Sequence, residues 1–105
     1  MKTLTEQFNT ISVVKGEIFA VELDGRAADG GYLWDVNVTA GNATAISRET
    51  VFTDDHPLAA GNGGLKRIFL RADEAGIVEI EAKLRRPWER GSAPLKQALF
   101  KVIVH

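Results

Sequence analysis

The side chains that most often carry out catalysis are sparse in this sequence. It contains no Cys, which excludes thiolate catalysis, disulfides and the common Cys-based zinc sites. The two His residues, His56 and His105, lack the spacing of a metal pair, and no Ser lies in a nucleophile-elbow motif. The cluster Asp54-Asp55-His56 could hold a cation weakly, but we interpret it as a solvated loop because metal sites need several converging ligands. We therefore expect no enzyme activity, no catalytic residues, no metal and no other cofactor.

Trp88 is the residue whose setting points most directly to binding chemistry. It follows Pro87 and stands among charged residues that include Arg86 and Glu89, so its ring is difficult to bury. A rigid aromatic ring in such a place is typical of a protein-binding hot spot. The alternative is a lid over one end of the fold, and the residue types do not choose between the two. Trp34 differs, because it lies on the apolar side of an alternating segment and is expected in the core.

The glycine cluster Gly61-Asn62-Gly63-Gly64 is not a phosphate-binding loop. The Gly-Lys-Ser/Thr ending is missing, and no helix is predicted after it. Taken alone, the cluster indicates a tight turn that uses positive φ angles.

The elements that must position these residues are strands, because apolar residues alternate with polar ones along most of the chain. This period of two puts one set of side chains in a core and the other toward water. Seven segments show β patterning, with turn residues between them: 11–14, 17–23, 32–38, 44–52, 65–71, 78–84 and 98–104. The pattern predicts an all-β fold, an immunoglobulin-like antiparallel β-sandwich of about seven strands.

Three connections are longer than a hairpin requires, and they cover residues 24–31, 53–64 and 85–95. Two predicted strands lie between each connection and the next, so the chain reverses its direction twice between them. In an antiparallel sandwich they therefore emerge at the same end. The sequence thus predicts three loops gathered at one end of the domain.

Composition and charge limit the remaining possibilities. The 105 residues predict a single domain, 1–105, and the net charge of −1 does not favour a nucleic-acid partner. The longest apolar run has four residues, 18–21, so no membrane segment is expected. The chain as written is expected in the cytoplasm, or in the periplasm or outside the cell if an upstream signal peptide was removed. We expect a monomer.

The three loops together resemble those of the chagasin-type inhibitors of cysteine peptidases. Members of that family carry Asn-Pro-Thr-Thr-Gly-Tyr, Gly-x-Gly-Gly and Arg-Pro-Trp motifs in this order. Here Gly31-Tyr32 matches the end of the first motif, residues 61–64 match the second, and Arg86-Pro87-Trp88 matches the third. The resemblance extends over about residues 11–104, and it is specific because the motifs occur in order on a predicted sandwich.

The resemblance implies a reversible, non-covalent inhibitor that blocks the active-site cleft of a papain-like cysteine peptidase, either endogenous or from a host. The implied peptidase-binding residues are Asp29, Gly30, Gly31, Tyr32, Gly61, Asn62, Gly63, Gly64, Arg86, Pro87, Trp88 and Glu89. The first loop departs from the family, since residues 27–30 read Ala-Ala-Asp-Gly where members have Asn-Pro-Thr-Thr. This departure motivates the alternative of an immunoglobulin-like interaction or adhesion module that has lost inhibition.

Overall fold

The computed structural model describes residues 1–24, 32–51, 65–86, 88, 91 and 93–105, with only the backbone of Thr50 and Val51. The strands in these ranges are β1 (Thr3–Leu4), β2 (Thr10–Val13), β3 (Ile18–Asp24), β4 (Leu33–Ala40), β5 (Ala43–Val51), β6 (Leu65–Ala72), β7 (Gly76–Arg85) and β8 (Lys96–Val104). The predicted all-β fold is confirmed. In the part of the chain that the structure describes, no helix is long and apolar enough to cross a membrane.

The strands form two four-stranded sheets that pack as a sandwich. The first sheet has the order β1-β3-β6-β5, and the second has the order β2-β8-β7-β4. All seven predicted segments overlap strands, and six of these strands, β3 to β8, pair antiparallel with at least one neighbour. In contrast, β1 pairs parallel with β3, and β2 pairs parallel with β8. The structure therefore adds a short strand and two parallel pairs to the predicted sandwich. Both features belong to the N-terminal arm, where β1 has only two residues and shows no alternation.

Alternation along the strands builds the core. In β7 the apolar residues at 78, 80, 82 and 84 are buried, while the side chains between them lie on the outer face. Among the described residues no polar or charged residue is buried, so the interior is held by apolar packing, as a chain without Cys requires. The buried cluster comprises Leu4, Val13, Phe19, Val21, Leu23, Trp34, Ile68, Leu70, Ala72, Val78, Ile80, Ala82, Leu84, Phe100, Val102 and Val104.

Candidate functional site

The first long connection starts, and the second both starts and ends, at neighbouring strand ends in the first sheet. Asp24, the last residue of β3, pairs with Leu65, the first residue of β6. Leu65 in turn pairs with Val51, the last residue of β5. The chain therefore leaves β3 and β5 and enters β6 at the same end of this sheet.

The second sheet brings the remaining strand ends together in the same way. Leu33 at the start of β4 pairs with Arg85 at the end of β7. Leu84, one residue earlier in β7, pairs with Lys96 at the start of β8. The first connection ends in this sheet, at β4. The third connection starts at β7 and ends at β8, and these three strand ends are neighbours.

One hydrogen bond shows that these two ends are the same end of the sandwich. The indole nitrogen Nε1 of Trp34, in the second sheet, donates to the backbone carbonyl of Asp24, in the first sheet, over 3.1 Å. The predicted gathering of the three connections at one end is confirmed. The expectation that Trp34 lies in the core is confirmed as well, because its side chain belongs to the buried cluster.

Tyr32 and Arg86 are brought together at this loop-bearing end. The guanidinium carbon Cζ of Arg86 lies over the ring of Tyr32, 4.6 Å from the ring centroid. Both residues are half-buried, and Tyr32 packs against the core cluster. This geometry is that of a cation–π contact, and it joins a residue of the first motif to a residue of the third.

Trp88, two residues after Arg86 in the chain, exposes its side chain at the surface. It is 67% exposed, which is unusual for so large an apolar ring and argues against its being a lid over the end of the sandwich. Of the predicted peptidase-binding residues, the structure describes Tyr32, Arg86 and Trp88. The others lie outside the described residues: Asp29, Gly30, Gly31, Gly61, Asn62, Gly63, Gly64, Pro87 and Glu89.

A charged cluster that sequence reasoning missed lies on the outer face of the first sheet, two residues from the strand ends. Arg67 of β6 donates to Glu22 of β3, with Nη2 2.7 Å from Oε1, and to Glu49 of β5, with Nη1 3.3 Å from Oε1. The hydrogen bond with Glu22 is the main cause that raises the pKa of Arg67, with partial burial acting in the opposite direction. One guanidinium therefore ties together β3 and β5, from which the first two connections depart, and β6, which the second connection enters.

The second sheet has an ion pair near its own loop-bearing end, with the charged atoms further apart. Arg85 of β7 approaches Asp35 of β4, with Nη2 3.6 Å from Oδ2. No sequence signal identified either cluster, because the partners are far apart in the chain and meet only once the strand register is known. Within the described ranges, no group of three or more His, Cys, Asp or Glu residues could hold a metal ion.

Comparison with known proteins decides the family. Residues 12–104 match the family described as "Chagasin family peptidase inhibitor I42". The chain belongs to the chagasin family of peptidase inhibitors. The resemblance inferred from the three motifs is confirmed, and the family is one of inhibitors rather than enzymes. Membership does not favour the alternative of an adhesion module.

A relative and several solved structures resemble nearly the whole chain. Amoebiasin-2 of Entamoeba histolytica is 23% identical over 103 residues, which are 97% of this chain and 82% of that protein. The crystal structure of the cysteine protease inhibitor EhICP2, also from Entamoeba histolytica, superposes with a TM-score of 0.79 at 19% identity, covering 99% of this chain and 94% of that one. The likeness to the EhICP2 structure confirms the predicted fold along nearly the full length.

Two further structures extend the comparison. The solution structure of Amebosin has a TM-score of 0.72 at 29% identity and covers 99% of this chain and 97% of the other. PbICP-C, whose structure was determined in complex with falcipain-2, has a TM-score of 0.56 at 21% identity over 100% of this chain and 91% of that chain.

Proposed function

We propose that the protein is a reversible, non-covalent inhibitor of papain-like cysteine peptidases that blocks the active-site cleft with the loops following β3, β5 and β7. The observation that carries this proposal is the convergence of the three motif-bearing connections at one end of the sandwich. Family membership supports the inhibitory activity, and the complex of the similar protein PbICP-C with falcipain-2 supports a peptidase partner.

The first loop would enter the cleft above the catalytic Cys-His pair of the target. Gly30 and Gly31 have no side chains, so the backbone there can approach the catalytic residues closely. A loop that blocks the cleft without placing a peptide bond in attack geometry on the catalytic thiolate is not cleaved. Because this chain has no Cys, it cannot form a mixed disulfide with that thiolate, which is consistent with a non-covalent complex.

The second and third loops would contact the two sides of the cleft. Residues 61–64, rich in glycine, offer backbone groups for strand-like hydrogen bonds with the peptidase. Trp88 would pack on the opposite side as the aromatic anchor, since its ring is 67% exposed in the free protein. Arg86 and Glu89 would orient the third loop or meet charges at the rim of the cleft.

The sandwich contributes by presenting the loops from fixed starting points. Strand ends that are held by backbone pairing lose little conformational freedom when the partner binds, which favours affinity. Protease–inhibitor interfaces typically bury about 1,600 Å² in total, an area that three loops at one end of a domain of this size can provide.

Titration of papain and of a cathepsin with the purified protein, followed with a fluorogenic peptide substrate, tests the proposal. We expect inhibition that is relieved by dilution, with the mass of the inhibitor unchanged after incubation with the enzyme. Trypsin, a serine peptidase, serves as the control and should keep its full activity. Absence of inhibition of both cysteine peptidases at micromolar inhibitor would contradict the proposed function.

A further inference from the structure

Tyr32 and Arg86 continue the pairing of β4 with β7 beyond the last hydrogen-bonded residues. Leu33 pairs with Arg85 in this antiparallel ladder, so the next residues outward, Tyr32 and Arg86, stand opposite each other. There the guanidinium of Arg86 lies 4.6 Å from the centroid of the Tyr32 ring. A side-chain contact therefore extends the pairing of β4 with β7, and Tyr32 and Arg86 are not independent loop residues.

The surroundings of this contact favour a defined geometry. The Tyr32 ring packs against the core cluster, which limits the movement of the ring on that side. Both Tyr32 and Arg86 are half-buried, and partial removal of water strengthens the attraction between a cation and an aromatic face. Arg86 thus has a fixed partner at the point where the chain leaves β7.

The contact joins the bases of two loops that the sequence places 54 positions apart. Tyr32 ends the first connection, and Arg86 begins the third, two residues before the exposed Trp88.

We propose that Tyr32 and Arg86 are positioning residues that couple the first and third loops, so that a peptidase meets them as one preset unit. This inference rests on the proposed function. Because the ring and the guanidinium hold each other, removing either one releases both loop bases. Removing the second partner as well then changes little.

A double-mutant cycle on the inhibition of papain tests this coupling. We expect Tyr32→Leu and Arg86→Gln each to raise the inhibition constant by about 3- to 10-fold, the range of a partly desolvated cation–π contact. The double variant should be no more than about twofold weaker than the weaker single variant. Effects that multiply in the double variant would overturn the proposal.

Two matched variants separate coupling from simple loss of structure. Tyr32→Phe keeps the aromatic face and should recover most of the inhibition that Tyr32→Leu loses. A loss with Tyr32→Phe as large as that with Tyr32→Leu would show that the hydroxyl matters rather than the ring. Lys83→Gln removes a cation of the same strand that pairs with Glu81 rather than with an aromatic ring, and should leave inhibition unchanged.

A measurement on the free protein distinguishes failure of this inference from failure of the proposed function. The chain has two Trp residues, so labelling with fluorotryptophan gives two fluorine NMR resonances, assigned with Trp88→Phe. We expect the Trp88 resonance to narrow in Tyr32→Leu and in Arg86→Gln but not in Tyr32→Phe, because a released loop base moves faster. An unchanged Trp88 linewidth in Tyr32→Leu would contradict the coupling even if papain were not inhibited at all.

Discussion

The indole of Trp34 donates a 3.1 Å hydrogen bond to the backbone carbonyl of Asp24, and this bond links the two sheets at the loop-bearing end. Asp24 is the last residue of β3, and Trp34 is the second residue of β4, so the bond closes the base of the first loop. With 8% of its surface exposed, Trp34 contributes to the core and fixes a loop base at the same time.

Trp34→Phe should destabilise the protein by about 1–3 kcal/mol, since it removes this donor and leaves a smaller ring in a packed site. Urea unfolding followed by circular dichroism measures the effect. The matched control is Trp88→Phe, which changes a 67% exposed ring and should alter the free energy of unfolding by less than about 0.5 kcal/mol. Equal losses in the two variants would contradict the role given to Trp34.

The turn between β4 and β5 leads to a second prediction, at Gly41. Its φ is +80°, and a Cβ there would lie 2.4 Å from the carbonyl oxygen of Ile77 and 2.9 Å from Cα of Val78. Gly41→Ala should therefore cost more than about 2 kcal/mol, because backbone atoms must move in addition to the left-handed strain.

Gly16 provides the control for this prediction. Its φ is +88°, but an added Cβ would meet nothing within 4 Å, so Gly16→Ala carries only the conformational cost of about 1–2 kcal/mol. Urea midpoints of the two variants make the comparison. If Gly16→Ala proved as damaging as Gly41→Ala, the close approach to Ile77 would not explain the requirement for glycine.

Most of the fold could be predicted from sequence because the strands alternate strongly. In β7, four apolar residues at every second position fixed both the element and its buried face. The N-terminal strands could not be predicted in the same way, since β1 consists of Thr3 and Leu4 alone and its pairing with β3 depends on tertiary packing. Counting strand reversals was enough to place the three connections at one end.

The candidate site was predictable only in part, for a physical reason. Motif residues such as Tyr32 and Arg86 could be named from their order in the chain. Their contact follows from the register of β4 against β7, which local patterns do not specify. The ion pairs of Arg67 with Glu22 and Glu49 escaped prediction for the same reason, because the partners come from three different strands.

The ion pairs of Arg67 lead to a third prediction, on how the free energy of unfolding depends on salt concentration. Arg67→Gln leaves Glu22 and Glu49 without their shared cation, and we expect a loss of about 1 kcal/mol at low ionic strength. The loss should shrink in 1 M NaCl because the cluster is partly open to solvent. Lys83→Gln, which breaks a single pair with Glu81, is the control and should have a smaller effect. A loss that is independent of salt would exclude an ionic contribution.

The lowered pKa of Asp73 predicts how the free energy of unfolding depends on pH. Thr44 and then Arg71 lower its pKa below the ordinary 3.8, the first through a hydroxyl hydrogen bond and the second through Nε at 2.8 Å from Oδ1. A carboxylate whose pKa is depressed by folding adds stability above its unfolded pKa, and this is lost as pH falls through the folded value. The advantage of wild type over Asp73→Asn should therefore be constant above about pH 5 and shrink below 3.8.

Urea midpoints of the two proteins between about pH 2.5 and pH 7 measure this difference. Thr44→Val is the informative control, since it removes the largest cause of the shift and should flatten the acid limb of the curve. An advantage of wild type that persists unchanged at the lowest pH would contradict the assignment.

The last prediction ranks the contributions of the first and third loops to inhibition. Trp88→Ala should raise the inhibition constant for papain by about 30-fold, the effect of losing a hot-spot aromatic anchor. Asp29→Ala should change it by less than about 3-fold, because its carboxylate repels the catalytic thiolate of the target but attracts the neighbouring imidazolium. Leu99→Ala removes another exposed apolar side chain, on β8, and should leave inhibition unchanged. The ranking is wrong if Trp88→Ala inhibits as well as wild type while Asp29→Ala abolishes binding, since the first loop would then supply the anchor.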